Sequence, residues 1–219
     1  MANKDALSLA IIDNGSGIAF ADWGFSWMRT LVDPGVCAEL SGRRLNFLRF
    51  TYAYPSGALN LVTHDFLKGG GDRLIIVDLD QVWEPDDFRN LVSHDAPFVA
   101  GMYCKKKPKA EWVLSLLDEV NPFQDTMPEI EANRLVEVAT VGRGFINLHR
   151  SVFDLMEPTT EEFLDDHTGQ ILKDYWKPRR NGHSEDYAFC DRYRELGGRV
   201  LVDQKIRIGH IGPQRYPIL

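Results

Sequence analysis

The chain lacks most of the features that would assign it at a glance. Its three cysteines, Cys37, Cys104 and Cys190, are far apart and form no Cys-x-x-Cys pair. That excludes a disulfide framework or a zinc knuckle and leads us to expect reduced thiols in a cytoplasmic protein. No apolar run reaches the length of a membrane span. The opening stretch, Met1 to Ala10, places Lys4 and Asp5 before only a few apolar positions, too few for a secretory signal. A cationic surplus is missing as well: 25 Lys and Arg against 32 Asp and Glu leave a net charge of −7. A surface built all round for nucleic acid is thereby excluded, although a local basic groove is not. Neither Gly-x-Gly-x-x-Gly nor Gly-Lys-Ser/Thr occurs, so a dinucleotide fingerprint and a P-loop are both poorly supported.

What is present centres on Arg73-Leu74-Ile75-Ile76-Val77-Asp78-Leu79-Asp80. Branched aliphatic residues bounded by Gly69-Gly70-Gly71 and Trp83-Glu84-Pro85 predict a short strand buried on both faces, as in a parallel sheet. Asp78 and Asp80 then fall at its carboxyl end, where open α/β sheets bind ligands. Residues two apart share a side, so both carboxylates can serve one divalent cation.

With 219 residues, a single domain spanning 1–219 is expected, burying roughly 70% of its unfolded surface. Leu7 to Ile12 reads as the first strand, and Asp13-Asn14-Gly15-Ser16-Gly17 as a turn at the usual place of a nucleotide loop. Trp23, Trp27, Met28 and Leu31 predict a covering helix ended by Asp33-Pro34-Gly35. Leu45 to Tyr52 reads as a strand, Pro55 to Gly69 as a helix, and Pro85 with Asp86 and Asp87 as the start of another. Phe98 to Met102 is the next strand. This strand-helix rhythm over residues 7–103 implies a parallel, helix-covered sheet.

Lys105-Lys106-Lys107-Pro108-Lys109 follows at the carboxyl edge, where lysines can hold phosphate or an anionic acceptor. Glu111 to Asn133 is expected to begin with a short helical pattern and to lie on the surface as an insertion. Leu135 to Ala139 returns to the sheet. Gly142-Arg143-Gly144 leads into Phe145 to Leu148, with glycines that would let a ligand approach backbone. Ser151 to Met156 reads as a short helix, and Thr159 to Gly182 as a long loop suited to a lid or acceptor wall. Ser184 is a good N-cap for a helix with Glu185 and Asp186 in its first turn; adjacent helical residues diverge by about 100°, so only one is expected to face a given site. Arg199 to Val202 and Lys205 to Ile208 read as two extended segments before Gly209-His210-Ile211-Gly212.

Four segments in this order, Leu74 to Asp80, Val141-Gly142-Arg143-Gly144-Phe145-Ile146, Ser184-Glu185-Asp186-Tyr187-Ala188-Phe189-Cys190 and Gly209-His210-Ile211-Gly212, resemble the GT-A glycosyltransferases, particularly the family 2-like branch. The resemblance covers about residues 7–213. It implies an α/β GT-A (nucleotide-diphospho-sugar transferase) fold: a mostly parallel central sheet with helices on both faces, a nucleotide-binding half over about 7–103 and an acceptor and catalytic half over about 134–213. The implied activity is metal-dependent transfer of a hexosyl-type sugar from a nucleotide-diphosphate sugar to a hydroxyl acceptor. That acceptor could be a glycan, a protein, a small molecule or hydroxymethylated phage DNA.

By the same resemblance Asp78, Asp80 and His210 would hold Mn²⁺ or Mg²⁺. Asp13, Asn14, Asn60, Asp78 and Lys105 would contact the donor, and Asp186, with Glu185 beside it, would act on the acceptor hydroxyl. Oxygen ligands with an imidazole suit these ions, and a carboxylate base must lie within hydrogen-bond reach of the hydroxyl. The family often carries Ala-Arg-Asn where this chain has Ala58-Leu59-Asn60, so a phosphate cation would come from Lys105 or Lys106. Two other readings are a GT-A-like module that binds nucleotide or glycan without chemistry, and a related nucleotidyltransferase, which would open with a glycine-rich basic loop that this N-terminus lacks.

Overall fold

The computed structural model describes residues 6–13, 21–51, 54–107, 111–117, 135–179 and 182–212. In chain order its elements begin β1 (Leu7–Asp13), α1 (Ala21–Val32), α2 (Pro34–Leu40), β2 (Leu45–Thr51), α3 (Pro55–Lys68), β3 (Arg73–Asp78) and β4 (Gln81–Val82). Next come α4 (Pro85–Val92), β5 (Phe98–Met102), β6 (Leu114–Ser115), β7 (Leu135–Val138), β8 (Thr140–Val141) and β9 (Phe145–His149). The last are α5 (Arg150–Met156), β10 (Glu162–Asp165), β11 (Gln170–Lys173), α6 (Glu185–Glu195), β12 (Val200–Arg207) and β13 (Gly209–His210).

Seven strands form one sheet in the order β2-β1-β3-β9-β5-β12-β7. Strands β1, β2, β3, β5 and β12 run one way, while β9 and β7 run against them. Strand alternation sorts the core. Along β3, Leu74 and Ile76 enter one apolar cluster with Leu59, Val62 and Phe66 of α3, Val152 and Phe153 of α5, and Phe189 of α6. Ile75 and Val77 enter the other, with Trp27 of α1, Val36 of α2, and Phe88 and Leu91 of α4. Helices therefore cover both faces, and an unbroken aliphatic run is what a strand between them requires.

Four details depart from the sequence reading; one is that the long loop expected over 159–182 contains an antiparallel hairpin of β10 and β11. Asp33-Pro34-Gly35 does end α1, but it also starts α2: the Asp33 carboxylate accepts from the Val36 amide at 2.9 Å, and Pro34 sits in the first turn, where a missing N–H costs nothing. The two extended segments expected over 199–208 are one strand, β12, with an irregular register against β5 between Val202 and Arg207. Glu111 to Leu117 is not helical: Trp112 bridges Cys104 antiparallel and β6 pairs with β8. The rest of that expected insertion lies outside the described residues. Among the described residues, no helix is long and apolar enough to cross a membrane.

Candidate active site

From Asp78 the chain turns through Leu79 and Asp80 into β4. The return strand β13 pairs with β4, Gly209 opposite Val82 and His210 opposite Gln81, and the Ile211 amide donates to the Asp80 carbonyl at 2.7 Å. This short pairing sets His210 beside Asp80 across 130 residues of sequence. His210 Nε2 lies 3.3 Å from Asp80 Oδ2. The other ring nitrogen, Nδ1, is 2.9 Å from the Cys104 carbonyl. A carbonyl only accepts, so Nδ1 carries a proton; Nε2 donates to the carboxylate when the ring is charged and offers a lone pair to a metal ion when it is neutral. Lys106 forms an ion pair with the same Asp80 oxygen. Asp80 Oδ1 is buried with no hydrogen-bond partner among the described residues. Burial pushes the Asp80 carboxyl up, but hydrogen bonds and charge from His210 and Lys106 overcome it and hold the group at about 2.

Asp78 has a different partner. Arg143 donates to its Oδ1 and also lies 3.5 Å, through Nε, from Glu185 Oε1. The guanidinium is only 13% exposed, and burial opposes its charge, yet Asp78, Glu185 and Asp186 raise its pKa above the usual arginine value. For Asp78 burial dominates and raises the pKa against the pull of Arg143, with the Asp80 and Asp186 charges adding to the rise. Arg143 thus ties the end of β3 to the first turn of α6.

Among the described residues, the Asp186 carboxylate is hydrogen-bonded through one oxygen. Its Oδ1 accepts from Ser184 Oγ and, at 2.8 Å, from the Tyr187 amide. Ser184 is the N-cap residue of α6, but its hydroxyl serves Asp186 instead of the helix amides. Both Glu185 and Asp186 face this edge: Glu185 engages Arg143, while Asp186 is close enough to weigh on Asp78 and on Tyr103. Tyr103 is buried beneath them. Its hydroxyl accepts from the Gly144 amide at 3.1 Å, its ring meets His210 edge-on at 5.2 Å, and burial, then Asp78 and Asp186, push its pKa well above that of a free phenol.

The glycines flanking Arg143 are required by this packing. A Cβ on Gly142 would stand 2.2 Å from the Tyr103 hydroxyl and 2.6 Å from Val113 Cγ1, and one on Gly144 would stand 2.6 Å from Gln81 Nε2.

The other expected site residues are placed as follows. Asp13 ends β1 at this edge, one residue beyond the Ile12–Asp78 register pair; Asn14 lies outside the described residues. Lys105 pairs with Glu111 at 3.3 Å, as does Lys107 at 3.1 Å, so only Lys106 of these three reaches Asp80. Asn60 is not brought to the Asp80 cluster. Its Nδ2 donates to Asp174 at 2.7 Å and its Oδ1 accepts from the Trp176 amide at 3.1 Å. Trp176 also donates to Thr63 at 2.9 Å and stacks on Phe189 at 4.0 Å. The end of the long loop before Gly182 is therefore anchored in the core, not free as a lid would be. Arg179 is held by both Glu195 oxygens at 2.6 Å; Arg180 lies outside the described residues. Sequence reasoning missed Arg143 and Lys106 as the partners of the two aspartates. The available signal was a charged residue leading into a buried strand, which must find a counter-charge.

Among the described residues, no group of three or more His, Cys, Asp and Glu side chains forms a ready metal cage. Asp80 and His210 form a pair to which Asp78 is the neighbour. A partnerless carboxylate oxygen, an imidazole nitrogen fixed by a carbonyl behind it and a second carboxylate nearby nonetheless fit Mn²⁺ or Mg²⁺, which commonly take one or two carboxylates and complete their shell with substrate phosphate.

No protein-family model matches the sequence, and no curated protein matches it. Solved structures do. The crystal structure of A197 from STIV superimposes with a TM-score of 0.55 at 16% identity, covering 98% of this chain and 93% of that one. The crystal structure of GalNAc-T7 with UDP, GalNAc and Mn²⁺ gives 0.57 at 11% identity, covering 97% of this chain but 45% of that one, so the chain spans less than half of that protein. At such identities the likeness establishes architecture alone. With its seven-stranded, mostly parallel sheet and helices on both faces, the chain has the GT-A fold found among nucleotide-sugar transferases.

Proposed function

We propose that this chain is a metal-dependent glycosyltransferase that moves a sugar from a nucleotide-diphosphate sugar to a hydroxyl acceptor. The observation that carries this reading is the Asp80 carboxylate, with one oxygen buried and without a hydrogen-bond partner among the described residues and the other facing His210 Nε2, at the carboxyl edge of the central strand. GalNAc-T7, crystallised with UDP, GalNAc and Mn²⁺, supports the choice of donor and ion. A bound Mn²⁺ or Mg²⁺ would neutralise charge developing on the leaving diphosphate.

In this reading Asp80 and His210 hold the ion, and Asp78, steadied by Arg143, lies beside it. Asp13, whose backbone ends β1 at this edge, and Asn14 after it are assigned to the nucleoside. Of the two lysines expected at the phosphates, Lys106 takes the role, and Asn60, engaged with Asp174 and Trp176, stays apart from the donor. Asp186 takes the acceptor proton on Oδ2 while Oδ1 stays fixed by Ser184 and Tyr187. Glu185 keeps Arg143 in place.

A thermal-unfolding screen of nucleotide-diphosphate sugars with and without Mn²⁺, followed by product analysis, tests this. A ligand that binds only the native state raises the midpoint, so one donor together with the metal should raise it more than either alone. Turnover should release a nucleoside diphosphate. Release of pyrophosphate would instead identify a nucleotidyltransferase, and a screen without any shift would remove the donor assignment.

A further inference from the structure

Two cations of the chain neutralise its two strand-end aspartates, and they differ in how readily they can leave. Arg143 is 13% exposed and bridges Asp78 and Glu185 with a planar fork. Lys106 is 31% exposed and makes one point-charge contact with Asp80; an ammonium on a flexible four-carbon stem can turn to a new partner without rearranging its surroundings. Its backbone is held still. The Lys105 amide donates to the Glu111 carbonyl at 2.7 Å, Cys104 bridges Trp112, and Lys105 and Lys107 are both paired with Glu111. The Cys104 carbonyl, two residues before Lys106, is also the group that orients His210. One loop therefore presents both the group that aims His210 Nε2 at Asp80 and the ammonium seated on the same carboxylate oxygen.

We infer that Lys106 is an exchangeable counter-ion. It neutralises Asp80 until a divalent ion replaces it at Oδ2, and the released ammonium then turns to the anionic diphosphate that arrives with the ion. The inference rests on the donor-site reading above and adds a thermodynamic consequence. A metal ion arriving alone must displace an ion pair with nothing to receive the ammonium. A diphosphate arriving alone finds Lys106 already engaged. Together each removes the other's penalty, so the two bind with positive coupling, and linkage requires the effect to be reciprocal.

The test uses the full chain and two simple probes. Mn²⁺ alone is titrated by water-proton relaxation into wild type, Lys106→Met, Lys106→Gln and Asp80→Asn. Both Lys106 variants should bind Mn²⁺ about 5-fold tighter than wild type or better, the lower end of ordinary coupling, and Asp80→Asn should lose this binding. Inorganic pyrophosphate is then titrated calorimetrically with a chelator present. Asp80→Asn, which frees Lys106, should bind it more tightly than wild type, and the double variant Asp80→Asn/Lys106→Met should lose that gain; the cycle separates the role of Lys106 from the simple removal of a negative charge. Unchanged or weaker Mn²⁺ binding in both Lys106 variants overturns the exchange. If Asp80→Asn binds Mn²⁺ as wild type does, Asp80 is not the metal position, and the donor reading falls with the exchange. If Asp80→Asn loses the ion but the Lys106 variants match wild type, the exchange alone is wrong.

Discussion

Arg143 is the residue whose role is furthest from its appearance in sequence. Between two glycines it looks like a surface charge on a turn, yet it is buried and binds Asp78 and Glu185. Arg143→Met should destabilise the fold by about 3 kcal/mol, because removing one member of a buried pair leaves the other charge uncompensated. Arg143→Lys should recover only part of this, as one ammonium cannot reproduce the fork between two carboxylates. Urea unfolding of both variants measures the difference, and equal stability of wild type and Arg143→Met would show the pair to be unimportant. Asp186→Asn should keep the metal-dependent thermal shift by donor while lowering turnover by about 10²-fold or more; full activity would place the base elsewhere. The positions of Asp78 and Asp80 at and just beyond the end of β3, and of Asp186 in the first turn of α6, were legible because both elements have strong local signatures. Their partners were not. The pairings of Asp78 with Arg143 and of Asp80 with Lys106 cross 65 and 26 residues, and they depend on which strands become neighbours.

Among elements, those with a clear apolar pattern could be read and the two-residue strands could not. The α3 helix was legible from Pro55 and its apolar spacing, as was β3 from its aliphatic run. Two-residue strands such as β4 and β13 carry no periodicity at all, although their pairing is what delivers His210. The direction of β9 was equally hidden, since alternation tells which face a residue takes and not which way a strand runs. The link from α3 to the segment after β11 gives a prediction at this scale. Asn60→Leu would leave the Trp176 amide and the Asp174 carboxylate without their partner, at a cost of about 2 kcal/mol. Limited proteolysis should then cut within 160–176 sooner than in wild type. An unchanged cleavage rate would mean that the Trp176 contacts with Thr63 and Phe189 hold the segment unaided.

At the scale of the whole molecule, two aspartates give stability opposite responses to acid. Asp80 is held at about 2, below its unfolded value, so its contribution is present above about pH 4 and is lost as pH falls through about 2. Asp87 is raised to about 6, chiefly by burial. Its contribution is fully present below about pH 4 and is lost as pH rises through about 6, because the folded state must then hold a charge that it solvates poorly. Thermal midpoints of Asp87→Asn relative to wild type should therefore improve steadily from pH 4 to pH 6 and level off above. A difference that does not vary with pH would rule out this account. The α/β architecture was expected from the strand-helix rhythm, but the middle of the sheet was not. Strand β9, from the second half of the chain, lies between β3 and β5. The chain up to residue 144 therefore has β3 with one edge open and β5 without either neighbour, since β9 and β12 both come later. Release of such a fragment, or a pause in its synthesis, should lead to aggregation, and chaperone demand should fall in two steps, as residues 145–149 and then 200–207 emerge.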